Sequence, residues 1–215
     1  CLSTGALLAR VGGLGSGTGE LHDPQGVALA DGLLLVSEWG NHRLSVFDSN
    51  DLSFKYHIGQ TLDSQGFPEE GSTPGALDQP CGVAVHGGEV FVADTWNHRI
   101  SVFSLHDGSF RRCFGERGRQ PGQFIYPADV EVKKGCLFVT ESRGKRFQAL
   151  SLEGVPRAVL DSPCEGWLHG ICVDGERLWV SSSNRHRLHV FQSDVLSARH
   201  QPLLHDVDIV ANLVE

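Results

Sequence analysis

LLVSEWGNHRLSVF at residues 34–47 returns as VFVADTWNHRISVF at residues 90–103, 56 positions later. Two looser copies follow, LFVTESRGKRFQAL at residues 137–150 and LWVSSSNRHRLHVF at residues 178–191. Self-similarity with a spacing of about 40–50 residues is typical of solenoid and propeller proteins. Because this sequence motif recurs, the presence of a residue that belongs to it is weak evidence for a catalytic site.

The sequence around each copy predicts four short strands. In the first unit, the apolar runs 27–29 and 33–37 are joined by Asp-Gly, which is a strong hairpin signal. The Arg-x-x-Val-Phe element at 43–47 predicts a third strand, and residues 54–58 predict a fourth. Four strands per unit without helical periodicity predict an all-β fold, a β-propeller of four-stranded antiparallel blades.

A glycine-rich loop ending in a proline opens each unit, as in residues 12–24 and 115–127. We expect its glycines to adopt turns with positive φ, and Leu21 and Phe124 to lie beneath the loop. The run GLGSGTG at 13–19 is not interpreted as a phosphate-binding loop, because it lacks a strand-to-helix context and a Lys-Ser/Thr ending.

Each of the first three copies also carries an acid and an arginine five residues apart, across the turn between the second and third strands. The pairs are Glu38 with Arg43, Asp94 with Arg99, and Glu141 with Arg146. A guanidinium can bind such a carboxylate through two hydrogen bonds and fix the turn, so we predict structural ion pairs. Ser182 replaces the acid in the fourth copy, and Arg187 therefore needs another partner.

The Asn-His-Arg of 41–43 and 97–99, with the Pro-x-Gly-Val-Ala of 24–28 and 80–84, resembles the signature of NHL-repeat proteins. The resemblance covers about residues 5–192 and implies a β-propeller, commonly with six blades. We expect residues 1–215 to form a single propeller domain, an incomplete part of a larger six-bladed ring unless partner chains complete it. The tail 203–215 either opens another unit or frays. The predicted units are about 12–58, 59–114, 115–160 and 161–205, with 1–11 as the end of a preceding unit.

Composition narrows the function classes. The formal net charge of −8 argues against a DNA-binding protein, and no apolar run is long enough to predict a membrane span. The six cysteines form no CxxC pair, so we predict no zinc site, no cofactor, and mostly buried thiols in a reducing compartment, the cytoplasm being favoured. The sequence contains no methionine, from which we expect a fragment of a longer or processed protein.

The favoured function is a non-enzymatic scaffold that binds a protein partner through the face carrying the Asn-His-Arg turns and the insertion at 60–79. Exposed tryptophan and arginine are typical interface anchors. The candidate partner-binding residues are Trp39, His42, Trp96, His98, Arg143, Lys145, Arg185 and His186. NHL propellers often follow RING or coiled-coil segments as recognition modules, which the resemblance implies here as well.

Two alternatives remain open. The resemblance to tripartite-motif NHL proteins implies RNA binding, for which residues 111–146 supply nine basic and four acidic side chains. The resemblance to NHL-type lyases implies a metal-dependent lyase or hydrolase at the central channel, with ligands at the position of Gln25, Cys81, Ala128 and His169. Only Cys81 and His169 are metal-ligand types, whereas zinc needs three or four convergent ligands. We therefore predict no metal site and no catalytic residue.

Overall fold

Four consecutive antiparallel sheets make up the fold. A computed structural model describes residues 7–161, 166–175, 177–183 and 186–192. Each sheet is a simple meander whose strands pair in chain order. The first blade contains β1 (Pro24–Ala30), β2 (Leu33–Glu38), β3 (Arg43–Asp48) and β4 (Phe54–Ile58). The insertion that follows forms a small hairpin of β5 (Thr61–Leu62) and β6 (Pro68–Glu69). The all-β propeller prediction is confirmed.

The other blades repeat the same arrangement. The second blade contains β7 (Val83–His86), β8 (Glu89–Asp94), β9 (Arg99–Ser104) and β10 (Phe110–Phe114). The third contains β11 (Pro127–Lys133), β12 (Cys136–Glu141), β13 (Arg146–Ser151) and β14 (Pro156–Asp161). In the fourth, the described strands are β15 (Leu168–Asp174), β16 (Arg177–Ser182) and β17 (Arg187–Gln192).

The hydrophobic core is divided into layers between neighbouring blades. One cluster joins Leu44 and Val46 of the first blade to Val83 of the second, and another joins Ile100 of the second to Val130 of the third. A third cluster lies between the third and fourth blades. Because each sheet buries side chains on both faces, its strands read as continuous apolar runs rather than alternating ones. The repeat therefore has to stack in order to bury its core.

Two flanks of the stack have no neighbouring blade among the described residues. Val27, which pairs with Val36, is equivalent by register to Val83, which pairs with Val92. Val27 is 70% exposed and Val83 only 6%. On the opposite side, Leu188 of β17 is 62% exposed, whereas its equivalent Leu44 is fully buried. This difference supports the expectation of an incomplete ring.

The loops before the blades follow the predicted design with one difference. Leu77 and Phe124 are fully buried beneath their loops, and Gly115 has a φ of 93° directly above Phe124. A Cβ at Gly115 would lie 2.4 Å from the Phe124 ring, so both backbone conformation and space require glycine there. Gly118 and the equivalent Gly15 do not have a positive φ; a Cβ at Gly118 would lie 2.0 Å from Oε1 of Gln123, the end of a flexible side chain that would have to move.

Some predicted features lie outside the described residues. These are residues 1–6 at the start of the predicted preceding unit, Cys1, Cys164, Arg185, and residues 193–215 with the tail 203–215. Residues 7–11 are described and form no strand.

Candidate functional site

The three acid–arginine pairs lie at the ends of β2–β3, β8–β9 and β12–β13. The arginine Nε lies 2.9 Å from Glu38 in the first blade, 2.7 Å from Asp94 in the second and 2.7 Å from Glu141 in the third. Burial raises the pKa of Asp94 and of Glu141, while the amide and guanidinium donors around each carboxylate oppose that shift. The pairs are interior structural contacts and are not available to a ligand.

Each arginine also holds the glycine-rich loop of its own blade. Arg43 donates from Nη1 to the Ser16 carbonyl at 2.9 Å, and Arg99 does the same to the Ser72 carbonyl at 2.9 Å. Arg146 donates to the carbonyls of Arg119 and of other loop residues. The guanidinium therefore satisfies backbone carbonyls that would otherwise be unpaired.

The fourth blade has lost the loop and the acid together. Twelve residues separate β10 from β11, but only six separate β14 from β15. Ser182 is 2% exposed and its hydroxyl has no hydrogen-bond partner among the described residues. No carboxylate of the described chain lies within ion-pair distance of Arg187. The acid is thus found in the three blades where there is a long loop for the arginine to hold.

The histidines of the Asn-His-Arg turns connect neighbouring blades. His42 and His98 have φ values of 52° and 55°, a left-handed conformation that histidine tolerates better than most residues. The Nδ1 of His42 lies 3.2 Å from the Gln79 amide nitrogen and 3.1 Å from Oδ1 of Asp78, and that of His98 accepts from the Tyr126 amide at 3.1 Å. Burial, with Arg117 as a second cause, lowers the pKa of His98, which agrees with a neutral acceptor.

The innermost strands β1, β7, β11 and β15 surround a central cavity of about 560 Å³. The four repeat-equivalent positions considered for metal ligands, Gln25, Cys81, Ala128 and His169, all line it. Burial raises the pKa of the Cys81 thiol and lowers that of the His169 imidazole, so both are neutral near pH 7. Among the described residues, no group of three or more His, Cys, Asp or Glu side chains could hold a metal ion.

Aromatic side chains form the mouth of this cavity. Trp39 and Trp96 come from the turns after β2 and β8, and Tyr126 and Trp167 directly precede β11 and β15. Trp96 and Trp167 are 47% and 45% exposed. The guanidinium of Arg143 lies 4.7 Å from the Tyr126 ring centroid and 6.0 Å from that of Trp167. Trp96 packs edge-on against Tyr126 at 5.6 Å.

The floor of the cavity contains a carboxylate where the other blades have glycine. Asp129 of β11 is equivalent by register to Gly26, Gly82 and Gly170 of the other innermost strands. Its two oxygens accept the amides of Val130 and Ile171, both at 2.9 Å. Burial raises its pKa to about 6, and the two amide bonds oppose that shift only in part.

Asp129 fits because the adjacent blade contributes no side chain at that level. A Cβ on Gly82 would lie 2.5 Å from the Asp129 Cα, so glycine at 82 is what leaves room for the aspartate. The contact from Asp129 to Ile171 also ties the third blade to the neighbouring fourth blade.

The repeat motif is also found in known proteins. A family model for the NHL repeat matches residues 21–47 and 77–103. These two segments are NHL repeats. The two matched segments contain the Asn-His-Arg turns of the first and second blades, whereas the third and fourth blades are divergent copies.

Solved structures support the propeller fold. A chain from the crystal structure of a nidogen/laminin complex superposes with a TM-score of 0.62 at 15% identity, covering 82% of this chain and 62% of that one. The computationally designed protein Ika4 superposes with a TM-score of 0.57 at 9% identity, covering 88% of this chain and 99% of that one. This chain thus spans about three-fifths of the length of the nidogen/laminin chain that it matches. A comparison with curated protein sequences finds no match.

The partner-binding residues predicted from the NHL motif fall into three groups. Trp39, Trp96 and Arg143 lie together at the cavity mouth. His42 and His98 lie between blades, where their ring nitrogens are engaged. Lys145 and His186 are exposed at their turns but do not line the cavity, and Arg185 lies outside the described residues.

Sequence reasoning missed Tyr126, Trp167 and Asp129. The first two occupy the position before each innermost strand, where the first two NHL units have Asp23 and Gln79. Asp129 interrupts the Pro-x-Gly-Val pattern and was counted only as a charge. All three stand out when the four units are aligned on that pattern and compared at two positions, the residue before each innermost strand and the residue at the glycine position.

The nine basic residues of 111–146 do not all share one surface, although Arg117 and Arg119, in the loop that Arg146 holds, lie at the same end of the third blade as Arg143 and Lys145. Lys133 and Lys134 lie at the β11–β12 turn, and Arg143 and Lys145 lie at the opposite end of the same blade, about 20 Å away along a six-residue strand. Arg146 is buried with Glu141, and Arg112 pairs with Glu89 at the side of the sheets. In the described part of the chain, no helix could cross a membrane.

Proposed function

We propose that the chain is a non-enzymatic interaction module that binds a protein partner over the mouth of its central cavity. The observation that carries this proposal is the group of Trp39, Trp96, Tyr126 and Trp167 around one opening. Tryptophan, tyrosine and arginine are enriched at the energetic centres of protein interfaces, where a pocket excludes water around them. The family and the fold fit such a scaffold role.

The polar groups that recur in the repeat have structural partners, which favours a scaffold over an enzyme. The acid–arginine pairs hold loops, and His42 and His98 accept amides of the next blade. The alternative of RNA binding needs basic side chains on one accessible surface. Because those of 111–146 are divided between two ends and the side of the third blade, protein binding is the better-supported function.

The proposal can be tested by affinity capture with matched aromatic variants. The wild-type chain, a Trp39→Ala/Trp96→Ala variant and a Phe67→Ala variant would be immobilised and exposed to extract of the source cells. Phe67 is 59% exposed but does not line the cavity, so its variant removes an exposed aromatic elsewhere. Bound proteins would be quantified by mass spectrometry, and candidates purified and titrated by calorimetry.

The expected result is a purified protein that binds the wild type and Phe67→Ala equally and binds the double tryptophan variant at least about ten-fold more weakly, as loss of two hot-spot residues predicts. If every purified partner binds the double variant as tightly as the wild type, the cavity mouth is not the binding surface.

A further inference from the structure

The central cavity combines aromatic walls with a negatively charged floor. Its lining includes two carboxylates, Asp23 near the mouth and Asp129 on the floor, and one cationic side chain, Arg143. His169 and Cys81, the other titratable groups that face it, are neutral near pH 7 for the reasons given above. A volume of about 560 Å³ lies within the range of sites that hold small ligands or several side chains.

Asp129 has no positively charged partner among the described residues. Both of its hydrogen bonds come from backbone amides, one to each oxygen. A carboxylate has about four acceptor positions, so each oxygen retains the capacity for a further donor. Arg143 does not neutralise it, since that guanidinium lies over Tyr126 and Trp167 and makes no ion pair with Asp129.

The fold does not need a charge at this position. Gly26, Gly82 and Gly170 occupy the equivalent place in the other blades, which stack without a carboxylate. A buried charge without a counter-ion is unfavourable for folding and is usually paired in proteins. Burial without a counter-charge is also the reason why the pKa of Asp129 is raised to about 6.

The aromatic walls favour the same type of ligand. The faces of tryptophan and tyrosine attract ammonium and guanidinium groups. The chain itself provides an example, because Arg143 lies 4.7 Å from the Tyr126 ring centroid. Trp39 and Trp96 are not occupied by a cation in any described contact.

We propose that the central cavity receives a cationic side chain of the partner, a lysine ammonium or an arginine guanidinium, which passes the aromatic mouth and pairs with the carboxylate of Asp129. This inference rests on the proposed function and assigns the chemistry of the inserted group. Three residues of extended chain, about 10 Å, separate Tyr126 at the mouth from Asp129. A partner loop with a long basic side chain at its tip spans that depth.

The experiment uses three short peptides as probes: Ac-Gly-Gly-Lys-Gly-Gly-NH₂, the same peptide with Nε-acetyl-lysine, and the same peptide with glutamate. Binding to the whole chain is followed by ¹H–¹⁵N NMR at the Ile171 amide, which donates to Asp129, and at the Trp96 indole. The variants are Asp129→Asn, which keeps the shape, and Asp107→Asn as a control. Asp107 is an acid in the β9–β10 turn that does not line the cavity.

The expected result is saturable binding of the lysine peptide at millimolar concentration, at least about ten-fold weaker binding of the acetyl-lysine peptide, and the same loss with Asp129→Asn but not Asp107→Asn. Binding should also weaken as the pH falls below about 6, where Asp129 becomes protonated. Equal binding of the lysine and acetyl-lysine peptides, or preferential binding of the glutamate peptide, would overturn the inference.

The inference and the proposed function can fail separately. Suppose that a captured partner depends on Trp39 and Trp96 but binds the Asp129→Asn variant as tightly as the wild type. The cavity mouth is then the binding surface, and the proposal of an inserted cation is wrong. Suppose instead that the lysine peptide binds as expected but no partner depends on those tryptophans. The cation site is then supported, and the proposed protein-binding function is wrong.

Discussion

Replacing Glu38 with alanine tests whether the acid–arginine pair supports the blade. The Glu38 side chain is fully buried and accepts four hydrogen bonds, from the His22 amide, Asn41, Arg43 and Ser45. The substitution removes all four and leaves the fully buried Arg43 guanidinium without its counter-charge. Breaking a buried pair in this way costs about 3–5 kcal/mol. Four lost bonds at about 1 kcal/mol each give a similar figure.

The matched control is Ser182→Ala at the equivalent position of the fourth blade. The Ser182 hydroxyl is buried and unpaired among the described residues, so its removal should change the free energy of unfolding by less than about 1 kcal/mol. For a chain of this size, about 3–5 kcal/mol lowers the midpoint of thermal unfolding by about 6–20 °C. The difference between Glu38→Ala and Ser182→Ala is therefore well within reach of the measurement.

Urea unfolding followed by both tryptophan fluorescence and far-ultraviolet circular dichroism supplies the free energies. The unfolding transitions that the two probes report should coincide if the blades unfold together, and should occur at different urea concentrations if the first blade of the variant unfolds alone. If Glu38→Ala costs less than about 1 kcal/mol, or no more than Ser182→Ala, the pair does not hold the loop as argued.

Three further predictions follow from exposure and charge. Val83→Ala should cost about 2 kcal/mol and Val27→Ala less than about 0.5 kcal/mol in the isolated chain, and equal costs by urea unfolding would mean that the flank of Val27 is covered. For Asp129, whose pKa lies above the ordinary 3.8 at about 6 when folded, the stability that protonation contributes is lost as the pH rises from about 4 to 6. Asp129→Asn should therefore gain stability relative to wild type across that window, and parallel pH profiles of the thermal midpoint would contradict this. Iodoacetamide should label Cys113, which is exposed, well before Cys136, which is buried, and peptide mass spectrometry would reveal the reverse order.

Much of the fold was predictable because the chain repeats its local signals. The Asp-Gly hairpin turn, the Arg-x-x-Val-Phe strand and the proline before each innermost strand recur, and each unit predicts the same four strands. The strands of the first blade differ from the prediction by three residues or fewer at each end. Residues 7–11 form no strand, and whether a segment becomes a strand depends on a pairing partner, which a local pattern cannot supply.

The site was predicted less well because its properties belong to several blades at once. Trp39 and Trp96 were found from the turn motif, but the motif does not report which way a side chain points. His42 was expected to be displayed, and its left-handed backbone instead directs its ring nitrogen to the amide of Gln79 in the next blade. Contacts of this kind depend on the distance between blades, which the periodicity of one unit does not determine.

Departures from the repeat are of two physical kinds, and only one indicates function. In the fourth blade, the acid and most of the long loop are both missing, so Ser182 is the consequence of having no loop to hold. Asp129 differs, because no loss of a loop accompanies it: Gly82 leaves it room, and the first and second blades stack on the following blade with glycine at the equivalent positions 26 and 82. A carboxylate that is buried without a cation, beside aromatic residues at an open cavity, carries a cost of desolvation that its hydrogen bonds from the Val130 and Ile171 amides offset only in part. That imbalance is what a ligand with a positive charge would remove, and it is the reason we propose Asp129 as a binding position.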